Sequence, residues 1–432
     1  MKRFLIVLSV IIAALPVFAG GSQEKGATAK DSDKPITMNV MVRSYTMNQD
    51  SPYKSAKAVF EKNHPNVTVN LEGLGYDDMR TKALIAVGAG QQLDVAQADY
   101  IWIGEYAEGK VFTPITDRLN ADAALKSDIL PTFLNASIWK GQVYGLWLNT
   151  DVRVLGWVKK HLADAGIDPN KAPETYTELV QNAVKAQHQP DTYGYFFPLF
   201  SGENTVERWY GPLVSAGGQI LSSDFTKALF NSEAGVRALQ FYVDAVNKQK
   251  IIPKDAYDDA VDSDALNWEQ RLVYCYDFFA WEKAQEVGWD VAKYNSVYGT
   301  SVNPMFEGGK HATTSGGYVI GIPRTAVSPD LSWEFIKLVT SPENVKDFLA
   351  QQARIGTRKS LSQYAAELAK NNPVYAVQAD SLNYTTIPPW NPEYPKTLEP
   401  MYTAIQKATL LKATPKEALD EAADAVNKIL AK

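Results

Sequence analysis

Four histidines, His64, His161, His188 and His311, are the first residues to weigh for metal or acid–base chemistry. None has a partner three or four positions away, so no helical metal pair exists. His64 precedes Pro65 at a helix end and His188 stands near Pro190; both read as solvated loop residues. No G-x-S-x-G elbow marks a nucleophilic serine, although a Ser-His-Asp site built from distant residues stays open. Neither a phosphate-cradling G-x-x-x-x-G-K-[ST] nor a G-x-G-x-x-G after a strand occurs, and Gly211, Gly217 and Gly218 read as turn glycines. Asp258 and Asp259 are residue types that glycoside hydrolysis uses, but adjacent acids in a loop read as a solvated face. Cys275 lies in the apolar-aromatic run 272–279 and reads as a small buried hydrophobe. As the single cysteine it excludes an internal disulfide and any Cys-built zinc or iron–sulfur site. The chain therefore reads as a non-enzyme with no metal and no cofactor.

The elements that would position such residues belong to a globular protein. The chain has 432 residues, 45% hydrophobic and 21% charged, more than one hydrophobic core holds. Two domains are expected. A net charge of -6 and the absence of any Lys/Arg cluster exclude a nucleic-acid binder. Ten Trp, 22 Tyr and 16 Phe supply both core and flat surfaces for apolar ligand faces.

Lys2 and Arg3, the apolar stretch 4–15, Pro16 and the small-x-small Val17-Phe18-Ala19 read as a secretory signal peptide over 1–19. Residues 20–33 read as a flexible leader. No cysteine stands at the cleavage point, so an unlipidated periplasmic protein is expected.

Ile36 to Val42, Asn66 to Leu71 and Leu93 to Ala98 read as strands. Between them come a helix capped by Ser51-Pro52, with Tyr53, Ala56, Val59 and Phe60 on its apolar face, and a helix over 77–87. That rhythm predicts a parallel α/β sheet. Further on, Thr175 to Glu178 and Thr414 to Glu417 read as capping boxes. Ser232 caps a helix carrying Val236, Leu239, Val243 and Val246. The helix after Thr175 sets Tyr176, Leu179, Val180, Ala183 and Val184 on one face. No long linker separates two domains, so the chain is expected to cross between them more than once.

Six stretches, in order, give the chain a family likeness. They are 59–69 (VFEKNHPNVTV), 90–95 (GQQLDV), 106–115 (YAEGKVFTPI), 141–146 (GQVYGL), 165–167 with 173–179 (AGI, PETYTEL), and 316–322 with 333–343 (GGYVIGI, WEFIKLVTSPE). Together they resemble the extracellular solute-binding proteins of bacterial ABC importers, in the sugar-binding branch that includes maltose-binding protein. Leu93, Trp147 and Trp157-Val158-Lys159 depart from the family pattern.

The resemblance implies two α/β lobes with a hinge and a ligand cleft between them. Lobe one would span 34–147 plus 317–358, and lobe two 150–312 plus 362–432. The implied partners are a carbohydrate ligand and membrane permease subunits, for a monomeric receptor. Aromatic rings stack on sugar C–H faces while charged and amide groups bind the hydroxyls, and ligands sit beyond the carboxyl ends of strands. Those conditions select Arg43 and Tyr45, Asp99 and Tyr100, Trp147 and Asp151, Gly317 and Trp390. By the resemblance, Asp151 matches a hydroxyl-binding acid, Glu207 and Trp209 a polar–aromatic contact, and Phe279 and Trp281 a stacking pair. Two other readings stand beside this one: a secreted glycoside-active enzyme, and the same fold binding a non-sugar solute such as a polyamine.

Overall fold

Strand β1 (Ile36–Arg43) sends Met38, Val40 and Val42 into one core and Met41 into another, so both faces of its sheet are covered. The structure, a computed structural model, describes residues 34–276 and 280–431. The signal peptide and leader over 1–33, and Phe279, lie outside the described residues. Helix α1 (Pro52–Asn63) starts where the Ser51 hydroxyl accepts the Lys54 N–H at 3.3 Å. It buries Tyr53, Ala56 and Phe60. Val59, expected on that face, sits at the edge of the stripe and is 47% exposed. Strand β2 (Val67–Leu74) pairs parallel with β1 along its whole length. Helix α2 (Tyr76–Gly88) crosses to β3 (Val95–Asp99), also parallel to β1.

The chain then runs through β4 (Leu146–Val152) into β5 (Leu155–Val158) and helices α3 (Tyr176–Ala186), α4 (Glu203–Ser215) and α5 (Glu233–Asn247). Thr175 caps α3 through the Glu178 N–H, but the Glu178 carboxylate turns to the Glu174 N–H, so only half of the expected box forms. Val184 of α3, expected on the buried face, is exposed. Strands β6 (Tyr274–Cys275) and β7 (Tyr298–Ser301) flank β5 antiparallel, making a small second sheet. Strand β8 (Thr313–Pro323) returns to the large sheet antiparallel to β3 and β4. The three strands expected to lie parallel do so, and β8 makes the whole sheet mixed because the chain re-enters it from the opposite end. Helices α6 (Pro329–Val339) and α7 (Pro342–Gln351) pack near α1. A short strand β9 (Thr385–Thr386) pairs with the start of β8, and helices α8 (Tyr394–Thr409) and α9 (Pro415–Leu430) close the second lobe. Thr414 and Glu417 form the full capping box at α9. No helix of the described residues is long and apolar enough to cross a membrane.

The result is a two-lobe α/β fold with a narrow waist. There β4 lies beside β8, and Thr150 exchanges both backbone hydrogen bonds with Ile355 at 2.9 and 3.1 Å. Three chain segments thus run side by side where the lobes join. Gly317 in β8 has φ 148°, and a Cβ there would lie 2.5 Å from the Asn149 carbonyl oxygen. Only glycine fits that conformation and approach. Gly317→Ala is expected to lower stability by about 1–3 kcal/mol, measured by urea unfolding; an unchanged midpoint would refute it.

Candidate functional site

The carboxyl ends of β1 and β3, the start of α2, the start of α4 and the waist all open onto one cleft of about 560 Å³. Arg43 ends β1, and its guanidinium lies 5.4 Å from the Tyr76 ring and 5.9 Å from those of Tyr45 and Tyr318. Asp99 ends β3. Its carboxylate accepts the Ile101 N–H at 3.2 Å, which folds the chain into a tight turn and presents Tyr100 to the cleft. Trp147 stands behind Tyr100, stacked at 5.0 Å, with its indole N–H donating to Ser137.

At the waist Arg153 is 7% exposed and joins two acids, Asp151 at 2.6 Å and Glu207 of α4 at 2.8 Å. Asp151 also forms an ion pair with Arg354 at 3.3 Å and accepts from the Gly316 N–H at 2.7 Å. Burial alone would raise the Asp151 carboxyl, but Arg153 and Arg354 outweigh it and hold it below the usual carboxylate range. Arg208 gives Glu207 a further partner at 2.9 Å.

Tyr76, at the first turn of α2, bridges the cleft. Its hydroxyl lies 3.1 Å from Asp99 Oδ2 and 3.1 Å from Glu203 Oε2 on the second lobe. Burial, helped by Asp151 and Glu207, pushes Asp99 up to about 7. Burial and Asp99 together push Glu203 well above the carboxylate range. Arg80, which also lines the cleft, is committed to Glu105 through two hydrogen bonds of 2.8 and 2.9 Å. Phe200 and Tyr318 add aromatic surface. Among the described residues no group of three or more metal-ligating side chains is placed to hold an ion.

Of the residues selected from sequence, Arg43, Asp99, Tyr100, Asp151, Glu207 and Gly317 line this cleft. Five others do not. Trp209 and Trp281 are buried, and Trp281 packs edge-on against Tyr294 at 5.3 Å. Trp147 supports Tyr100 from behind. Tyr45 packs between Tyr318 and Phe348 at 5.8 and 6.1 Å. Trp390 turns its indole N–H onto the Ile138 carbonyl at 3.0 Å and its ring edge against Phe225. In each case the large ring gains more by packing than by facing an open cleft. Sequence reading missed Tyr76, Arg80, Trp102, Arg153, Phe200, Glu203, Asn204 and Tyr318. The strand-end rule that selected Arg43 after β1 also applies to Tyr76 after β2. Glu203 stands one helical turn before Glu207, on the same face of α4.

Several known proteins share this architecture. A tagatose-bound ABC transporter solute-binding protein from Thermotoga lettingae superposes with a TM-score of 0.79 at 25% identity, covering 92% of this chain and 100% of that one. The maltose-bound MalE3 of T. maritima gives 0.78 at 22% identity, over 91% and 100% of the two chains. In sequence, a binding protein of Brucella abortus is 24% identical over 206 residues, 48% of this chain. That match spans about half the relative's own length, 49%. The galactooligosaccharide-binding protein of Bacillus subtilis is 25% identical over 440 residues, 98% of this chain and 96% of its own. The profile of the bacterial extracellular solute-binding proteins matches residues 45–346, and with the two lobes and the cleft between them this chain belongs to that family.

Proposed function

We propose that the protein is the carbohydrate-capturing receptor of an ABC importer, binding a mono- or oligosaccharide between its lobes and delivering it to a membrane permease. The cleft carries the reading: Tyr100, Phe200 and Tyr318 offer ring faces, while Asp99, Asp151, Glu203 and Glu207 offer hydroxyl acceptors. The relatives named for tagatose, maltose and galactooligosaccharide support it. The protein binds without turnover and works as an exported, unlipidated monomer in the periplasm. Its lobes are 34–147 plus 317–358 and 150–312 plus 362–432. Binding energy is realised in the closed form, which selects it from the ensemble.

A thermal-shift screen of the mature protein against mono- and oligosaccharides tests this reading. A sugar at about 100 times its Kd stabilises by about 2.7 kcal/mol, and the sugar should be recovered chemically unchanged. Release of product from a glycoside would favour the enzyme reading instead. Mass spectrometry of the native protein should find the N-terminus at or near Gly20, and retention of residues 1–19 would refute export by cleavage.

A further inference from the structure

The acids of the cleft are not compensated equally. Asp151 and Glu207 each face Arg153 and a second arginine, Arg354 or Arg208. Asp99 has the Ile101 N–H on its other oxygen, and the only donor shared by Asp99 and Glu203 is the Tyr76 hydroxyl, at 3.1 Å from each. A tyrosine hydroxyl has one proton and can donate to one of them. The other contact lacks a donor unless a proton or a cation is added.

Among the described residues Arg153 favours the Glu203 carboxylate from a distance, but no hydrogen bond or ion pair from a cation reaches Asp99 or Glu203. Around the pair stand Asp151, Arg153 and Glu207 from the waist and α4, Arg43 at the end of β1, and the hydroxyls of Tyr100 and Tyr318. Arg153 is held by Asp151 and Glu207, Arg80 by Glu105, and Arg43 sits among three tyrosine rings. Both acids wall the cleft itself, so a solute reaches them.

We propose that the solute carries a protonated amine that sits between Asp99 and Glu203, as an amino sugar would; this rests on the solute-receptor reading above. An ammonium brings three donors and one positive charge, enough for both carboxylates at once. A neutral hydroxyl brings one donor and no charge.

The protonation of the two acids fixes the sign of the pH dependence. With Asp99 raised to about 7 and Glu203 raised well above the carboxylate range, both by burial, the pair holds a proton on the acid side of neutrality and loses it as pH rises. An ammonium must displace that proton, so its affinity falls on acidification. A neutral sugar shows the opposite trend or none.

Isothermal titration calorimetry of glucosamine, glucose, N-acetylglucosamine and spermidine decides the matter. Glucosamine is expected to bind at least about tenfold tighter than glucose or N-acetylglucosamine, and more weakly at about pH 5 than at about pH 7. Glu203→Gln should erase most of that preference, with circular dichroism confirming an intact fold. Equal or tighter binding of the neutral sugars overturns the amine assignment and leaves the carbohydrate reading standing. Binding of spermidine alone upholds the amine and removes the carbohydrate. Silence from all four probes overturns the assignment.

Discussion

Arg153→Met is expected to lower folding stability by about 3–5 kcal/mol, and to abolish ligand binding in whatever protein remains folded. The guanidinium is 7% exposed and is shared by Asp151 and Glu207. Removing it leaves two largely buried carboxylates facing each other, with Arg354 and Arg208 each serving only one of them. The methionine fills much of the volume, so a cavity explains little of the loss. Urea unfolding followed by tryptophan fluorescence measures the effect. A loss below about 1 kcal/mol, the range of exposed ion pairs, would mean that water reaches the cluster. Asp151→Asn should cost less, because Arg153 keeps Glu207.

Trp281→Ala is expected to cost about 3–5 kcal/mol of stability while the affinity per folded molecule stays unchanged. The ring is 3% exposed and packs edge-on against Tyr294, away from the cleft wall. Truncation therefore opens a sealed void. Had the ring been a ligand platform, the pattern would reverse, with affinity lost and stability largely kept. Unfolding midpoints and calorimetric titration on the same preparation separate the two. Weakened binding with native stability would return Trp281 to the site.

Local signals carried much of the fold. The alternation of Met38, Val40 and Val42 marks β1, Ser51 and Pro52 mark the start of α1, and Thr414 with Glu417 marks α9. Each depends on neighbours in sequence, so each is readable without the tertiary structure. The direction of β8 is not local, since it depends on where the chain leaves the other lobe. The strand ends gave Arg43 and Asp99, and the same rule reaches Tyr76. The aromatic residues were hardest, because Trp147, Trp209, Trp281 and Trp390 look alike in sequence whether they face a sugar or a core. Burial against distant partners such as Ser137, Tyr294 and Ile138 separates them. The meeting of Asp99 with Glu203 is equally invisible, as it exists only once the lobes come together.

The loop holding Trp390 has a temporal consequence. Its Trp390 carbonyl accepts the Gly104 N–H at 3.2 Å and its Pro388 carbonyl accepts the Tyr100 hydroxyl at 3.3 Å, while the Trp390 indole reaches Ile138 at 3.0 Å. The Gly104 and Ile138 bonds lie off the cleft wall, and the third uses the hydroxyl of Tyr100, a residue of that wall. At about 0.5–1.5 kcal/mol each, three bonds that were lost on opening would favour this arrangement of the lobes by about 1.5–4.5 kcal/mol, about ten- to two-thousandfold in population. If they break on opening, they prolong the dwell of any captured molecule by slowing its escape, without helping to choose it. Selectivity and residence time would then be set by different residues of the same cleft, and mutation could tune one without disturbing the other.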